Sequence, residues 1–531
     1  MIDAEDCDYA LGAIIKLQSD SRINEDNCVY IGNTLVHVLD HVDVTKNLNT
    51  FVTLLLDLAV FDEFDETLPQ LMKKLLTQTN EQNIVNNLKS LGNTSDLKRS
   101  KLLAVLSVTS GNNVSINQML INLERNENVY FSLVFLNQVS KSCDIGAGIF
   151  PFIPGFSSND QLVVKITIKL IATLISRFAD KYLMDFINSL SQIQHLAPAF
   201  QTLSLILDNV KLNEESARIL VAAIVNVENE RVDKSVFDDE YKSAAQCIGK
   251  LVVSHSLIDF VTELTESAVL KNQRVLASLA ESAKYVFNHS DLDDQNISFE
   301  YADLTTTRLI FCSNLKLKEI GTSNLTLVLT KVPSLAITLI NSNFEELIEK
   351  EAKPNKTFIH IQFIGPYKHK IDDALNYRKQ IFELIYYLLK TIESDNVLLL
   401  LAKIDWRLYF NNFFDSGVKD DQSIASLCLL STLKIFEVQN TIFSEPHGEA
   451  DVFELFLSRC RKVLNKKLSD TAVKQDIEKQ NTLAKMIIRF LKKVHNMISV
   501  GTLVLTNTQN HIWNTFIDDT KCKFTAFDEE D

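Results

Sequence analysis

Glycine and proline are scarce in this chain, with 13 and 8 among 531 residues. Together they make up about 4%, where roughly 12% is usual. Sheets and long loops draw on both for their turns, so the shortage excludes a sheet-rich fold and favours helices joined by short connections. Paired cysteines are missing too. The eight cysteines (Cys7, Cys28, Cys143, Cys247, Cys312, Cys428, Cys460 and Cys522) include no CxxC pair. Neither a zinc ribbon nor a thioredoxin-type redox pair is indicated, and reduced thiols packed mostly in the core are expected. The longest purely aliphatic stretch, Ile219 to Val225, is too short to cross a bilayer. The start, Met1-Ile-Asp-Ala-Glu-Asp6, is acidic and lacks the basic opening and apolar run of a signal peptide. A soluble chain of the cytoplasm and nucleus is expected, with no membrane partner.

Positive charge is also in deficit. Lys and Arg number 53 against 68 Asp and Glu, a net charge of −15. That balance argues against a general nucleic-acid binder, which would carry a positive face. Catalytic signatures are absent: there is no GxSxG, no Gly-rich phosphate loop and no kinase motif. The expectation is a protein that binds other proteins, with no enzymatic activity and no cofactor.

What is present is helical periodicity from end to end. Leu257, Phe260, Val261, Leu264 and Ala268 fall on one face of a helix, as do Ile381, Leu384, Ile385 and Leu388. Leu483, Met486, Ile487, Phe490, Leu491 and Val494 repeat the pattern. Similar segments cover roughly 47–60, 160–178, 181–193, 197–208, 241–255, 272–286, 396–412, 421–437 and 450–466. A single core stops growing near roughly 250–300 residues. A solenoid escapes that limit because each helix pair buries its face only against its neighbours. At roughly 40 residues per pair the chain would hold about a dozen. The reading is an all-α, HEAT/armadillo-like helical-repeat solenoid.

Two stretches break the rhythm. Gly146 to Gly155 holds three Gly and two Pro among apolar residues. It reads either as an inter-repeat loop packed by Phe150, Phe152 and Phe156, or as an exposed hydrophobic contact site. The second break is Pro354 to Ile371. Thr357 to Ile364 is rich in β-branched and aromatic residues, with Ile359, Ile361 and Phe363 on one face and Phe358, His360 and Gln362 on the other. Gly365-Pro366 turns the chain and Tyr367 to Ile371 alternates again, so a β-hairpin near 357–371 is expected. Two strands alone are marginal in water, and an open apolar edge is a hazard, so a cover is needed, from the solenoid itself or from a partner.

Here a resemblance enters. Gly365-Pro-Tyr-Lys-His-Lys-Ile-Asp-Asp-Ala-Leu-Asn-Tyr-Arg-Lys379 resembles the Gly-Pro-aromatic-Lys-His…Asp-Asp-Gly-Leu…Arg-Lys signature of the cullin-associated and neddylation-dissociated family, also called TATA-binding-protein-interacting. Val473-Lys-Gln-Asp-Ile-Glu-Lys-Gln480 is similar to that family's Val-Lys-Gln-Glu-x-Glu-Lys-Gln segment. Ala244-Ala-Gln-Cys-Ile-Gly-Lys-Leu251 is a weaker match to a third block, and the three stand in the family's order. Ala374 stands where the family has Gly, and the first 230 residues show helical pattern without a matching motif.

The resemblance implies the C-terminal half of a HEAT-repeat solenoid that wraps an unmodified cullin–RING scaffold. A hairpin would compete there with the adaptor and substrate receptor for the cullin's N-terminal end. It implies cullin-binding roles for Phe358, His360, Gln362, Phe363, Pro366, Tyr367, Lys368 and His369, and partner binding by Lys474, Gln475 and Lys479. It also implies that a separate chain supplies the N-terminal half. The organisation expected is N-terminal HEAT-like repeats over 1–145, central repeats over 146–350, the hairpin insertion at 351–372, C-terminal repeats over 373–520 and an acidic tail at 521–531. The competing reading is an importin-type nuclear transport receptor or another HEAT-repeat scaffold, such as one that carries a phosphatase.

Smaller clusters have plainer readings. His37 and His41, spaced i, i+4, suit one side of a helix, but no third ligand accompanies them. His360 and His369 face each other across the expected hairpin and are likewise only two ligands. No metal site is expected. Arg459, Arg461, Lys462, Lys466 and Lys467 gather near the end of one helix, where cations suit the helix dipole; they read as a solvated face or as a contact for an acidic partner.

Overall fold

The computed structural model describes residues 4–91, 95–231, 239–269, 272–289, 298–364, 367–391, 394–444, 451–466 and 474–524. The chain divides into two compact units, Met1–Lys234 with Asp238–Cys247, and Ser235–Phe237 with Ile248–Asp531.

In the first unit six helices form a row: α1 (Glu25–Val38), α2 (Leu68–Gln78), α3 (Asp96–Ser110), α4 (Val129–Ser140), α5 (Gln161–Arg177) and α6 (Leu196–Asn209). Each packs on the next, α1 on α2, α2 on α3, and so on to α6. Helix α5 shows how sequence makes such an element. Asp160 caps it by accepting the Leu162 N–H at 2.8 Å. Val163, Val164, Thr167, Leu170, Ile171, Leu174 and Ile175, at helical spacing, are then buried between neighbours. Helix α3 ends at Gly111, whose φ of +74° is the left-handed cap that glycine adopts without strain.

The second unit repeats the arrangement with five helices: α7 (Gln273–His289), α8 (Leu315–Lys331), α9 (Leu375–Thr391), α10 (Gln422–Val438) and α12 (Lys474–Val500). They pack successively, α7 on α8, α8 on α9, α9 on α10, and α10 on α12. Helices α11 (Val452–Leu464) and α13 (Asn507–Lys523) flank the last of them. Rows of helices that each touch mainly their neighbours are what a helical-repeat solenoid requires. The fold is all-α, HEAT/armadillo-like, with one hairpin among the described residues: β1 (Ile359–Ile364) and β2 (Tyr367–Asp372) are antiparallel and lie between α8 and α9 in the chain.

A phenylalanine cluster forms the core beside the last helices. Phe456 on α11 meets Phe410, Phe414, Phe436, Phe443 and Phe490 with ring centroids 5.4–6.0 Å apart. Five cysteines are buried, Cys143 and Cys312 are half-buried, and Cys522 is exposed; all are free.

Most expected helices stand within two or three residues of their sequence-derived bounds. The exception is 396–412, expected as one helix. It is broken: one helix ends at Leu401, and another starts only at Trp406, where Asp405 accepts the N–H groups of Arg407 and Leu408. The chain then widens into a π-helical turn at Tyr409–Phe414. The Gly146–Gly155 segment leads into a 3-10 turn, Phe150–Ser157, with Phe152 and Phe156 buried and Phe150 exposed. Two of its three aromatics therefore pack as a loop anchor. His37 and His41 do not share a helical face, because α1 ends at Val38.

Candidate functional site

The hairpin is held from below by charged side chains. Asp372, the last residue of β2, accepts the Ala374 N–H at 3.1 Å, and its other oxygen lies 2.9 Å from Arg378 Nη1. Arg378, on the first turn of α9, is buried and also donates from Nε and Nη2 to the two Asp420 oxygens, at 2.9 and 3.1 Å. Burial opposes the guanidinium charge, but the hydrogen bonds and charges of Asp420 and Asp372 outweigh it and raise its pKa.

The chain that leads towards β1 is tied in a similar way, several residues before the strand. A π-helical turn at Leu347–Glu351 delivers Glu351, whose Oε2 accepts from Lys318 Nζ at 2.6 Å and from the Tyr377 hydroxyl at 2.8 Å. Lys318 also donates to the Ile310 carbonyl at 2.8 Å. Burial and the Glu351 charge push the Tyr377 phenol far above its ordinary range, so it stays a donor. Between the feet, the Asp373 N–H donates to the Phe358 carbonyl at 3.0 Å, and His360 Nδ1 lies 3.4 Å from Asp373 Oδ2. A two-stranded ribbon that would be marginal alone is thereby fixed to α8, α9 and the turn before α10.

Above this base the strand is open. Ile361 and Phe363 are 61% and 66% exposed, and His360 and Gln362 on the opposite face are exposed too. Phe358 is half-buried at the foot. Through the backbone Gln362 pairs with His369, Phe363 with Lys368 and Ile364 with Tyr367. His360 pairs with Ile371, so the two histidines expected to face each other are not opposite. The side chains of Tyr367, Lys368 and His369, and Pro366 as a whole, lie outside the described residues.

The second block opens α12. Lys474 pairs with Glu478 at 3.6 Å on an exposed turn, Lys479 is exposed, and Gln480 is buried, donating to the Val463 carbonyl at 2.8 Å. The Asp421 carboxyl is held below its ordinary range by the Ser423 N–H first and by the nearby Lys479 charge further down. The Gln475 side chain lies outside the described residues. Among the described residues no hydrogen bond or ion pair joins Lys474 or Lys479 to the hairpin. The third block is core: Ala244, Ala245, Cys247, Ile248 and Leu251 are buried.

Part of the basic cluster is engaged within the chain. Arg459 bonds Asn411 and lies 3.5 Å from Asp415, while Arg461 pairs with Glu454 at 3.0 Å and stands over the Phe516 ring. Lys467 and the acidic tail from 525 onward lie outside the described residues. Among the described residues no group of three or more His, Cys, Asp or Glu could hold a metal ion, and no helix is long and apolar enough to cross a membrane.

Sequence reading missed the anchor. Asp420 and Glu351 carry no signal in the sequence, and Arg378 and Tyr377 stand there only as parts of a motif. Part of the signal was available in that motif: Asp372 stands six residues before Arg378, near enough across the strand-to-helix turn for an acceptor and a donor to meet.

Fold and site together define a helical-repeat scaffold that carries an exposed, internally braced β-ribbon. Residues 335–521, which contain the ribbon, match the family described as TATA-binding protein interacting (TIP20). The cullin-associated NEDD8-dissociated protein 1 of Candida albicans is 22% identical over 80% of this chain and 36% of its own length. The protein named cullin-associated NEDD8-dissociated protein 1, C-terminal part, of Emericella nidulans is 22% identical over 83% of this chain and 41% of its own. Over residues 335–521 the chain is thus similar to this family, and more broadly it resembles the C-terminal region of cullin-associated NEDD8-dissociated proteins; it spans well under half the length of these two relatives. Among solved structures, the karyopherin Kap121p bound to the extreme C-terminus of Cdc14p aligns over 91% of this chain and 59% of that one. It does so at 10% identity and a TM-score of 0.33, too loose a superposition to carry an inference.

Proposed function

We propose that this chain is an assembly or exchange factor for cullin–RING ubiquitin ligases. It acts by binding the unmodified cullin and competing with the adaptor–substrate receptor module for the cullin's N-terminal end. The observation that carries the reading is the ribbon: Ile361 and Phe363 stand exposed on a hairpin whose exit is fixed by the buried Arg378 ion pairs and whose approach is tied through Lys318 and Glu351. An exposed apolar strand invites pairing with another chain, and proteins rarely leave one open unless a partner covers it. Similarity to relatives named for association with cullins supplies the partner class. The role is binding and not catalysis, exercised in the cytoplasm and nucleus, with Lys474, Gln475 and Lys479 as a second contact.

A separate polypeptide supplies the N-terminal half. This part of the proposal is supported by a relative that is itself named as a C-terminal part.

The test replaces residues 360–371 by a short Gly-Ser turn, keeping Asp372 and Asp373 so that Arg378 retains its partners. The variant should keep the helical circular-dichroism signal and displace adaptor from the cullin more weakly. Undiminished displacement would remove the ribbon from the mechanism.

A further inference from the structure

Helix α12 carries an exposed basic stripe. From Lys479 to Val500 its sequence holds five cations (Lys479, Lys485, Arg489, Lys492 and Lys493) and no carboxylate, in a chain whose net charge is −15. Lys485, Arg489 and Lys493 recur every four residues and are exposed, so they form one line along the helix. Like charges at that spacing repel, by roughly 0.2–0.5 kcal/mol per pair on a helix. Lys485 and Lys493 have no ion-pair partner among the described residues.

Beside this stripe lies an apolar groove of about 180 Å³ between α10 and α12. Leu430, Leu433, Met486 and Phe490 line its floor, and Arg489 and Lys493 form its rim. Leu430 is exposed at 37%, an apolar side chain facing solvent in the middle of α10. The volume is below the roughly 300 Å³ at which small-molecule sites begin, so the groove suits one or two side chains of a larger partner. Methionine on such a floor adapts to what it meets.

We infer that the α10–α12 groove is a docking surface for an acidic amphipathic helix of a partner protein. One or two apolar side chains of that helix enter between Leu430 and Met486, and its Asp or Glu residues lie along Lys485, Arg489 and Lys493. Charge complementarity selects the occupant: the floor asks for apolar side chains and the stripe for carboxylates at helical spacing, the arrangement of helix-in-groove recognition. Neither the ribbon nor its anchors take part, and the inference stands whether or not the cullin reading holds.

The probe is a fluorescent helical peptide of about 18 residues, or about five turns, with leucines along one stripe and glutamates on both flanks. Binding to the intact chain is followed by fluorescence anisotropy. Saturable binding is expected, weakening about tenfold or more as salt rises from about 50 to about 500 mM. The charge reversals K485E, R489E and K493E together should lower affinity at least about tenfold with the helical signal unchanged. Leu430→Ser should do the same without altering any charge. Binding that survives in these variants, or a peptide with serines in place of leucines that binds equally well, would overturn the inference by reducing it to general charge attraction. Dimerisation of the chain itself, lost on charge reversal, would overturn it in favour of a second copy as occupant.

Discussion

Arg378 and Asp420 form a two-point ion pair, Nε to Oδ2 at 2.9 Å and Nη2 to Oδ1 at 3.1 Å, and this leaves Nη1 to reach Asp372 at the foot of β2. One guanidinium fork thus joins α9, the start of α10 and the hairpin. Removing it strands two carboxylates in a largely dry site. The Arg378→Met variant should lose about 3–5 kcal/mol in urea unfolding of the second unit. Adding Asp372→Asn and Asp420→Asn should recover much of that loss, because no buried charge is then left unpaired. An Arg378→Met variant as stable as the parent would show that the anchor is incidental.

Two phenylalanines separate core from surface. Phe456 is fully buried among five other phenylalanine rings and stacks on Trp513, whereas Phe363 is 66% exposed. Phe456→Ala should cost about 3–5 kcal/mol. Phe363→Ala should fall within about 0.5 kcal/mol of the parent. Calorimetric or urea unfolding of the two variants gives the comparison directly.

Gly321 in α8 tests close helix packing. A Cβ there would stand 2.6 Å from the Thr306 carbonyl oxygen and 2.8 Å from Leu309 Cβ. Alanine gains roughly 1 kcal/mol of helix propensity, but the clash is with backbone that cannot swing aside, at about 1–3 kcal/mol. Gly321→Ala should therefore lower the unfolding midpoint despite being a better helix former.

The elements that were legible in the sequence are those whose apolar residues keep one period over three turns or more, such as α5 and α10. Where aromatic residues crowd a short run, period carries little information. Tyr409 to Phe414 sets four aromatic residues around Asn411 and Asn412, and its π-helical turn and the break at Asp405 were both invisible in a segment read as one helix. The hairpin was legible because β-branched alternation and Gly-Pro stand out in a helical chain. Its register was not, since two residues of slip decide whether His369 faces His360 or Gln362, and such a slip keeps every side chain on its own face. The anchor was hidden for another reason. Asp420 stands 42 positions from Arg378, and in a single sequence nothing marks such a pair.

His495 gives the fold a pH dependence. Trp513 Nε1–H donates to His495 Nδ1 at 3.1 Å, a bond that needs the neutral ring. Burial first, and then the Lys521 charge, lower the His495 pKa below 6.5. A depressed pKa means that the unfolded chain takes up the proton first. The stability that this site contributes is complete above about pH 6.5 and is lost as pH falls towards the folded value. Urea titrations followed by Trp513 fluorescence in a Trp406→Phe background should show stability declining as pH falls below about 6.5. The His495→Phe variant should lose that part of the slope, and an unchanged slope would exclude this origin.

The central claim is competition for the cullin's N-terminal end, and the most direct measurement is binding of the purified chain to an unmodified cullin–RING complex with and without saturating adaptor. The account predicts binding that adaptor abolishes and that an Ile361→Ser, Phe363→Ser double variant weakens. Simultaneous binding of chain and adaptor, each with its affinity unchanged, would contradict it.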